Sequence, residues 1–349
     1  VNRSVWFFVM GCAASSSCVL SDFQKVDSDT NHSVTTDGGT PMRAPDAGLP
    51  GASDECNACV AAQCAQPLAE CGADCAGLSL PITPATPGPN SVVPFLACMK
   101  QACDDSCNVT WGCVNHYKFP QPTAPFTIQL EVSDLASSAQ RLPGASVSAC
   151  IGSDPGCSAG SGLVAHGVSD SLGFVSLTVP RSFVGYFLVK ADSDDYMPAI
   201  GLWSQPSYWV ANSRTQPMVL WSVADLLGTG TDTKVDRAQS HLVFQVLNCL
   251  PLRLSGNAMA NAQGDDVKVS FTPPGKDSSQ VFYTISGAQI DRTRDSTSAG
   301  GAAFGGVFNL PAQLITVIGH HNGMEVARAS MQMRAGSVGF LFLLPNSMQ

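Results

Sequence analysis

Nine of the chain's fourteen cysteines fall in one stretch, Asp54 to Tyr117: Cys56, Cys59, Cys64, Cys71, Cys75, Cys98, Cys103, Cys107 and Cys113. Two pairs share one spacing. Cys71-x3-Cys75 and Cys103-x3-Cys107 each set two thiols four residues apart, on one face of a helix. Facing positions on two antiparallel helices keep a constant sum. That register sets Cys71 against Cys107 and Cys75 against Cys103, and brings Cys64 opposite Cys113. A rival register pairs Cys71 with Cys103 and Cys75 with Cys98. Cys98 and Cys103 are five apart and would point about 140° away from each other on one helix, which disfavours it. Nine is odd, so at least one thiol stays free or pairs elsewhere. Cys56, Cys59, Cys98 and the distant Cys249 stay unassigned.

The flanks favour helix. Asp54 is a candidate cap for an Ala-rich run, Pro67 suits the opening of a second helix, and VPFLACMKQACDDSC reads as the second arm. SLPITPATPGPNS between them is a loop by its Pro and Gly content. The two Cx3C motifs resemble the twin Cx3C helical hairpin, a disulfide-stapled scaffold. Cys56-x2-Cys59 alone would suit zinc, but no second CxxC and no paired His follow at zinc spacing.

Upstream, residues 1–18 read as an export signal. Asn2-Arg3 is a short basic segment, and Val5 to Met10 an apolar core too short to span a bilayer. Val9-Met10-Gly11-Cys12 resembles a bacterial lipobox, with Cys18 after Ser15-Ser16-Ser17 as the alternative. The resemblance implies a lipid on Cys12 or Cys18, a membrane partner through that lipid, and an outer-membrane or cell-surface location. Ala13 and Val19, the residues after the two cysteines, do not match the Asp of an inner-membrane retention signal. An ordinary cleaved signal, leaving a periplasmic or secreted chain, is the alternative. Residues 19–53 are polar and rich in Gly and Pro, as a flexible tether would be.

After the cysteine-rich module (54–119), Lys118 to Pro125 carries three prolines and reads as a stiff hinge. Strand grammar then takes over: FTIQLEV, PGASVSACI, GLVAHGVSD, LGFVSLTVP and GYFLVKA are short runs bounded by turn residues. Cys150 and Cys157 bracket the turn GSDPG and are expected to staple it. A second strand series runs from Asp236 through HLVFQVLNC, DDVKVSFTP, QVFYTIS, GGVFNLP, LITVIGHH, MEVARASMQM and VGFLFLLP. The two series echo each other: Ser169 to Pro180 with Gly185-Tyr186 aligns with Ser298 to Pro311 and the strand at Leu314.

Gly144 to Val147, Ser169-Asp170, Gly173 to Pro180, Gly185-Tyr186 and Asp195 to Met197 together resemble the carboxypeptidase regulatory-like domain, a transthyretin-like (prealbumin-like) seven-stranded sandwich. The resemblance covers residues 124–224 and extends only in part to 236–345. It implies an accessory binding or structural role rather than peptidase chemistry. The expected fold is mainly β: two seven-stranded-type β-sandwiches of prealbumin/Ig-like kind (124–224 and 236–345) preceded by a small disulfide-stapled α-helical hairpin module.

Net charge is −9 and 13% of residues are charged, which argues against a nucleic-acid partner. The 44% hydrophobic content argues against disorder. There is no HExxH and no nucleophile elbow. Gly228 to Lys234 is Gly-rich with the wrong spacing for a P-loop and reads as an interdomain loop. His320-His321 point to opposite faces of a strand ahead of an Asn322-Gly323 turn. Asp192, Asp194 and Asp195 suit a solvated turn better than a calcium loop. Trp203, Tyr208, Trp209 and Trp221 either fill a core or junction, or form a sugar-stacking platform, with Trp203, Tyr208 and Trp209 as its ligand-binding residues. The expected protein is a non-enzymatic, lipid-anchored surface module with a glycan or protein partner and no cofactor. A carbohydrate-binding module is the alternative, and a hydrolase with an unrecognised site comes last.

Overall fold

The computed structural model describes residues 48–82, 91–115, 124–137, 140–152, 156–157, 162–181, 183–203, 213–250, 264–274, 281–285, 289–291, 293–297 and 304–345. Cys12, Cys18, most of the tether and most of the hinge lie outside them.

The cysteine-rich stretch is helical. α1 is Asp54–Gln63, α2 Ala65–Cys71, α3 Val92–Ala102 and α4 Asp104–Cys107, with a 3-10 turn at Gly72–Cys75. Ser53, not Asp54, caps α1; its hydroxyl accepts from the Cys56 N–H at 3.1 Å. Pro67 sits in the first turn of α2, where a missing N–H costs nothing. Val92, Phe95, Leu96 and Met99 fall at i, i+3, i+4 and i+7 of α3 and are all buried.

The expected rungs Cys71–Cys107, Cys75–Cys103 and Cys64–Cys113 do not form. The bonds are Cys56–Cys107, Cys59–Cys103, Cys64–Cys98, Cys71–Cys75, Cys113–Cys249 and Cys150–Cys157. The first three still follow one antiparallel register, but α1 rather than α2 is the opposing arm. The objection to Cys98 assumed an unbroken helix. Cys64 (φ −121°) and Cys103 (φ −127°) are each a break between two helices, so the five-residue step from 59 to 64 matches the step from 98 to 103. Gly72, at φ 54°, ends α2, and the tighter turn after it brings Cys71 and Cys75 to 5.6 Å between Cα atoms.

The rest is β structure: β1 (Phe126–Asp134), β2 (Ser146–Ile151), β3 (Leu163–Val168), β4 (Phe174–Val179), β5 (Gly185–Lys190), β6 (Tyr196–Met197), β7 (Ala199–Trp203) and β8 (Ser213–Leu220). Helix α5 (Trp221–Gly230) links these to β9 (Ser240–Val246), β10 (Val267–Thr272), β11 (Val281–Ile285), β12 (Gln289–Asp291), β13 (Phe304–Leu310), β14 (Leu314–His321), β15 (Met324–Gln332) and β16 (Val338–Leu343). The expected interdomain loop at 228–234 is thus helical as far as Gly230.

The two expected sandwiches are not separate. One sheet of nine strands, ordered β12-β11-β13-β9-β16-β7-β5-β2-β3, runs through both halves of the chain. Its seam is a parallel pairing of β7 with β16: Ala199 with Val338, Ile200 with Gly339, Gly201 with Phe340. A four-stranded sheet, β4-β1-β8-β6, and a three-stranded sheet, β10-β14-β15, complete the layers. Side chains alternate along a strand, and here the alternation sorts into two cores. Val338 and Phe340 join the core shared with the four-stranded sheet, while Leu341 and Leu343 join the core shared with the three-stranded sheet. Likewise Phe187 and Val189 face the first core and Tyr186 the second. The outer sheets therefore cover opposite faces of the shared one.

The internal echo has a structural meaning. In the first half β1 pairs antiparallel with β4 and parallel with β8; in the second, β9 does the same with β13 and β16. The antiparallel trio β2-β5-β7 is matched by β10-β14-β15. The segment aligned across the two halves is β4-β5 against β13-β14.

Two measurements test this arrangement. At the seam, a Cβ on Gly201 would run into the Oε1 of Gln216, a fully buried side chain. Gly201→Ala should therefore destabilise the protein by about 1–3 kcal/mol in urea unfolding; an unchanged midpoint would count against the packing. In the module, peptide mass spectrometry of the unreduced protein should recover Cys56 with Cys107 and Cys64 with Cys98. Recovery of Cys71 with Cys107 would restore the other register.

Candidate functional site

The sequence-predicted aromatic platform falls mostly outside the described residues. Trp203 ends β7 and only its backbone is described; Tyr208 and Trp209 are not. Trp221 is described, and it lines a cleft of about 340 Å³ with Asp194, Asp195, Leu220, Ser222, Asp225 and Arg237. The cleft forms where α5 leaves β8 and links the two halves.

Local bonding builds its walls. The Trp221 N–H donates to the Asp195 carbonyl at 2.9 Å and so ties the start of α5 to the turn after β5. Within that turn the Ser193 hydroxyl donates to Asp195 Oδ2 at 3.0 Å. Arg237 lies 5.0 Å from the centre of the Trp221 ring and 3.4 Å from Asp225 Oδ2. Arg237 and Asp225 are both well exposed, so their ion pair contributes little on its own. The cleft offers an indole, three carboxylates and one guanidinium. Among the described residues no group of three or more His, Cys, Asp or Glu is placed to hold a metal. A solvated turn at Asp192, Asp194 and Asp195 fits their exposure.

Below the turn, the Tyr196 hydroxyl donates to Asp134 Oδ2 at 2.7 Å. Burial and this carboxylate push its pKa up to about 12. Behind Trp221 stands His241, edge-on at 6.1 Å, with Phe308 on another side at 5.7 Å. The Asn309 N–H donates to its Nδ1 at 3.3 Å, so that nitrogen is an acceptor and the ring is neutral. Burial lowers its pKa to about 4, against the raising effect of Asp236 and Asp225.

A second junction joins the helical module to the β body. Cys113 is bonded to Cys249, and the Cys249 N–H donates to the Thr110 carbonyl at 2.9 Å. Trp111 and Val114 enter the core of the second half, and Leu250 enters the core of the module. Lys100 Nζ lies 2.9 Å from Asp265 Oδ2. The module is thus joined to the second half by a bond, an ion pair and shared packing, where the sequence reads it as set apart by a proline hinge.

The letters GxSxG do occur, at Gly156 to Gly160, between β2 and β3. Cys157 within them is bonded to Cys150, the staple expected from sequence. Two antiparallel strands flank the motif, whereas a nucleophile elbow lies between a strand and a helix. His320 and His321 end β14 ahead of a turn with Asn322 at φ 50° and Gly323 at φ 78°. No described helix is long and apolar enough to cross a membrane.

Sequence reading missed the Trp221 cleft because α5 was not recognised. Trp221, Ala224 and Gly228 at i, i+3 and i+7 carry a helical pattern that would have found it.

No protein-family model matches the chain, and no curated protein matches it. Matches among solved structures include the shaft pilin SpaA from Lactobacillus rhamnosus GG, 11% identical over 64% of this chain and 99% of that one, at a TM-score of 0.19. A streptococcal ancillary pilin matches at 11% identity over 64% of this chain and 63% of that one, at a TM-score of 0.20. The Bacillus anthracis TIE protein matches at 11% identity over 62% of this chain, at a TM-score of 0.19; this chain spans 33% of its length.

His241 makes a pH prediction. Its folded pKa lies below the unfolded value, so the unfolded chain binds the proton first. The stability that depends on neutral His241 is full above about pH 6.5 and falls as the pH drops toward about 4, by roughly 3 kcal/mol at most. Urea unfolding should show that slope in the wild type and a flatter one in His241→Gln. Equal slopes would remove His241 as its source.

Proposed function

We propose that the chain is an exported, non-enzymatic surface protein, anchored by a lipid on Cys12 or Cys18, whose β body is a binding or structural module. One observation carries the export reading: every cysteine among the described residues is in a disulfide, twelve thiols in six bonds. Such a set persists in an oxidising compartment. Four of the bonds lie within the small helical module, whose buried core is itself built in part from six of these cysteines, and each contributes on the order of 2–4 kcal/mol in the chain-entropy picture, least for the short loops. The lipobox-like segment and the polar tether support anchoring at the outer membrane. The seven main strands of the first half, split as β4-β1-β8 and β3-β2-β5-β7, support its kinship with carboxypeptidase regulatory-like domains.

Expression in a bacterial host with a labelled fatty acid tests the anchor. Label on the wild type that is lost in Cys12→Ser, or in Cys18→Ser, is the expected result. An unlabelled, fully soluble chain would end the anchoring reading and leave the export reading to stand on the disulfides.

A carbohydrate ligand is the second reading, and the Trp221 cleft favours it. An indole flanked by carboxylates and a guanidinium suits a sugar ring and its hydroxyls. A glycan array should show binding that weakens at least tenfold in Trp221→Ala. Binding that depends instead on Trp203 and Trp209 would move the site; an array with no signal would remove the reading.

A further inference from the structure

Among the described residues, the junction between the helical module and the β body contains four buried polar atoms with no hydrogen-bond partner: Thr110 Oγ1, Trp111 Nε1, Asp265 Oδ1 and His321 Nδ1. They belong to one contact region. The Trp111 ring lies 5.6 Å from the His321 ring. A Cβ on Gly264, the neighbour of Asp265, would come within 2.8 Å of the same indole. Thr110 bonds to the body through its carbonyl, and Asp265 reaches across to Lys100 of α3.

Buried polar groups in a settled interface find partners, and a group that does not is held at a cost. Asp265 is the group on which that cost turns. One oxygen is bonded to Lys100, but the other is enclosed without a donor. Asp265 keeps about a fifth of its side-chain exposure, but an ionised carboxylate there has one oxygen stripped of water with no donor in its place, whereas a neutral carboxyl loses far less. We propose that the junction is a proton-dependent latch: docking of the module favours the neutral Asp265 carboxyl, so the junction tightens as the pH falls.

The charged and titratable groups facing Asp265 are Lys100 from α3, Asp266 beside it and His321 from the end of β14. Lys100 and His321 favour the carboxylate, Asp266 opposes it, and burial outweighs them all, holding the carboxyl above its ordinary range. The sign follows. A raised folded pKa gives stabilisation that is complete in acid and is lost as the pH rises through that value. The Cys113–Cys249 bond keeps the module attached when the latch loosens, so opening exposes the junction without releasing it.

Hydrogen exchange on the full-length, unreduced protein tests this, with rates corrected for the intrinsic pH dependence of exchange. Peptides covering 108–115 and 264–271 should gain protection several-fold, relative to peptides of β16, as the pH falls from about 7.5 to the ordinary Asp value of about 3.9. Asp265→Asn, a neutral carboxyl mimic, should show the acid-state protection at both values. His321→Gln should keep the wild-type response. Wild-type protection of these peptides that is flat, or that falls in acid, relative to peptides of β16 would overturn the latch, because the Lys100 ion pair would then be what holds the junction. A wild-type response that survives Asp265→Asn, or that is lost in His321→Gln, would overturn the assignment to Asp265.

Discussion

The molecule depends on one sheet that is buried on both faces. A sheet covered on one side alternates apolar and polar residues; a sheet covered on both sides cannot. β9 and β16 show the consequence. Their sequences, SHLVFQV and VGFLFL, are buried or nearly so at every position, while β4 and β10, in the outer sheets, alternate toward solvent. β16 lies between β9 and β7, so the strand that closes the second half is also the strand that joins the first. Each half provides an outer sheet for a different face. Neither core is complete without strands from the other half: Phe282 and Phe308 enter the first core, and Tyr186 and Ile200 enter the second.

Much of the strand content was legible. All twelve runs read as strands from sequence are strands, because each is a short β-prone segment closed off by turn residues. The duplication was legible as well, through Phe174 to Pro180 and Phe304 to Pro311. What the alternation rule hid was the joining of the halves. Strand pairing is a long-range fact, and the local clue, VGFLFL without a polar position, reads equally well as one more sandwich strand. β6 to β8 were missed because Pro198 and Pro217 interrupt the pattern.

The cysteines teach a narrower lesson. The idea of two antiparallel arms closed by rungs was sound, and the chosen arm was wrong. Spacing along a helix constrains partners only while the helix runs unbroken. Cys64 and Cys103 sit at breaks; Pro67 announces the first, but no residue near Cys103 announces the second. The distant Cys249 could not be placed by spacing at all, since it is 136 residues from Cys113. For the candidate site, Trp221 was singled out by type but not by position, and the acidic and basic residues around it come from three separate segments that only the fold brings together.

The shared sheet makes a direct demand on how the β body unfolds. With its disulfides intact, the protein should unfold in urea in one transition, with far-ultraviolet circular dichroism and tryptophan fluorescence giving the same midpoint, because breaking either core strips a face from the other's strands. Two well-separated transitions, one for each half of the chain, would show that the halves are independent sandwiches and that the β7–β16 seam does not bind them into one body.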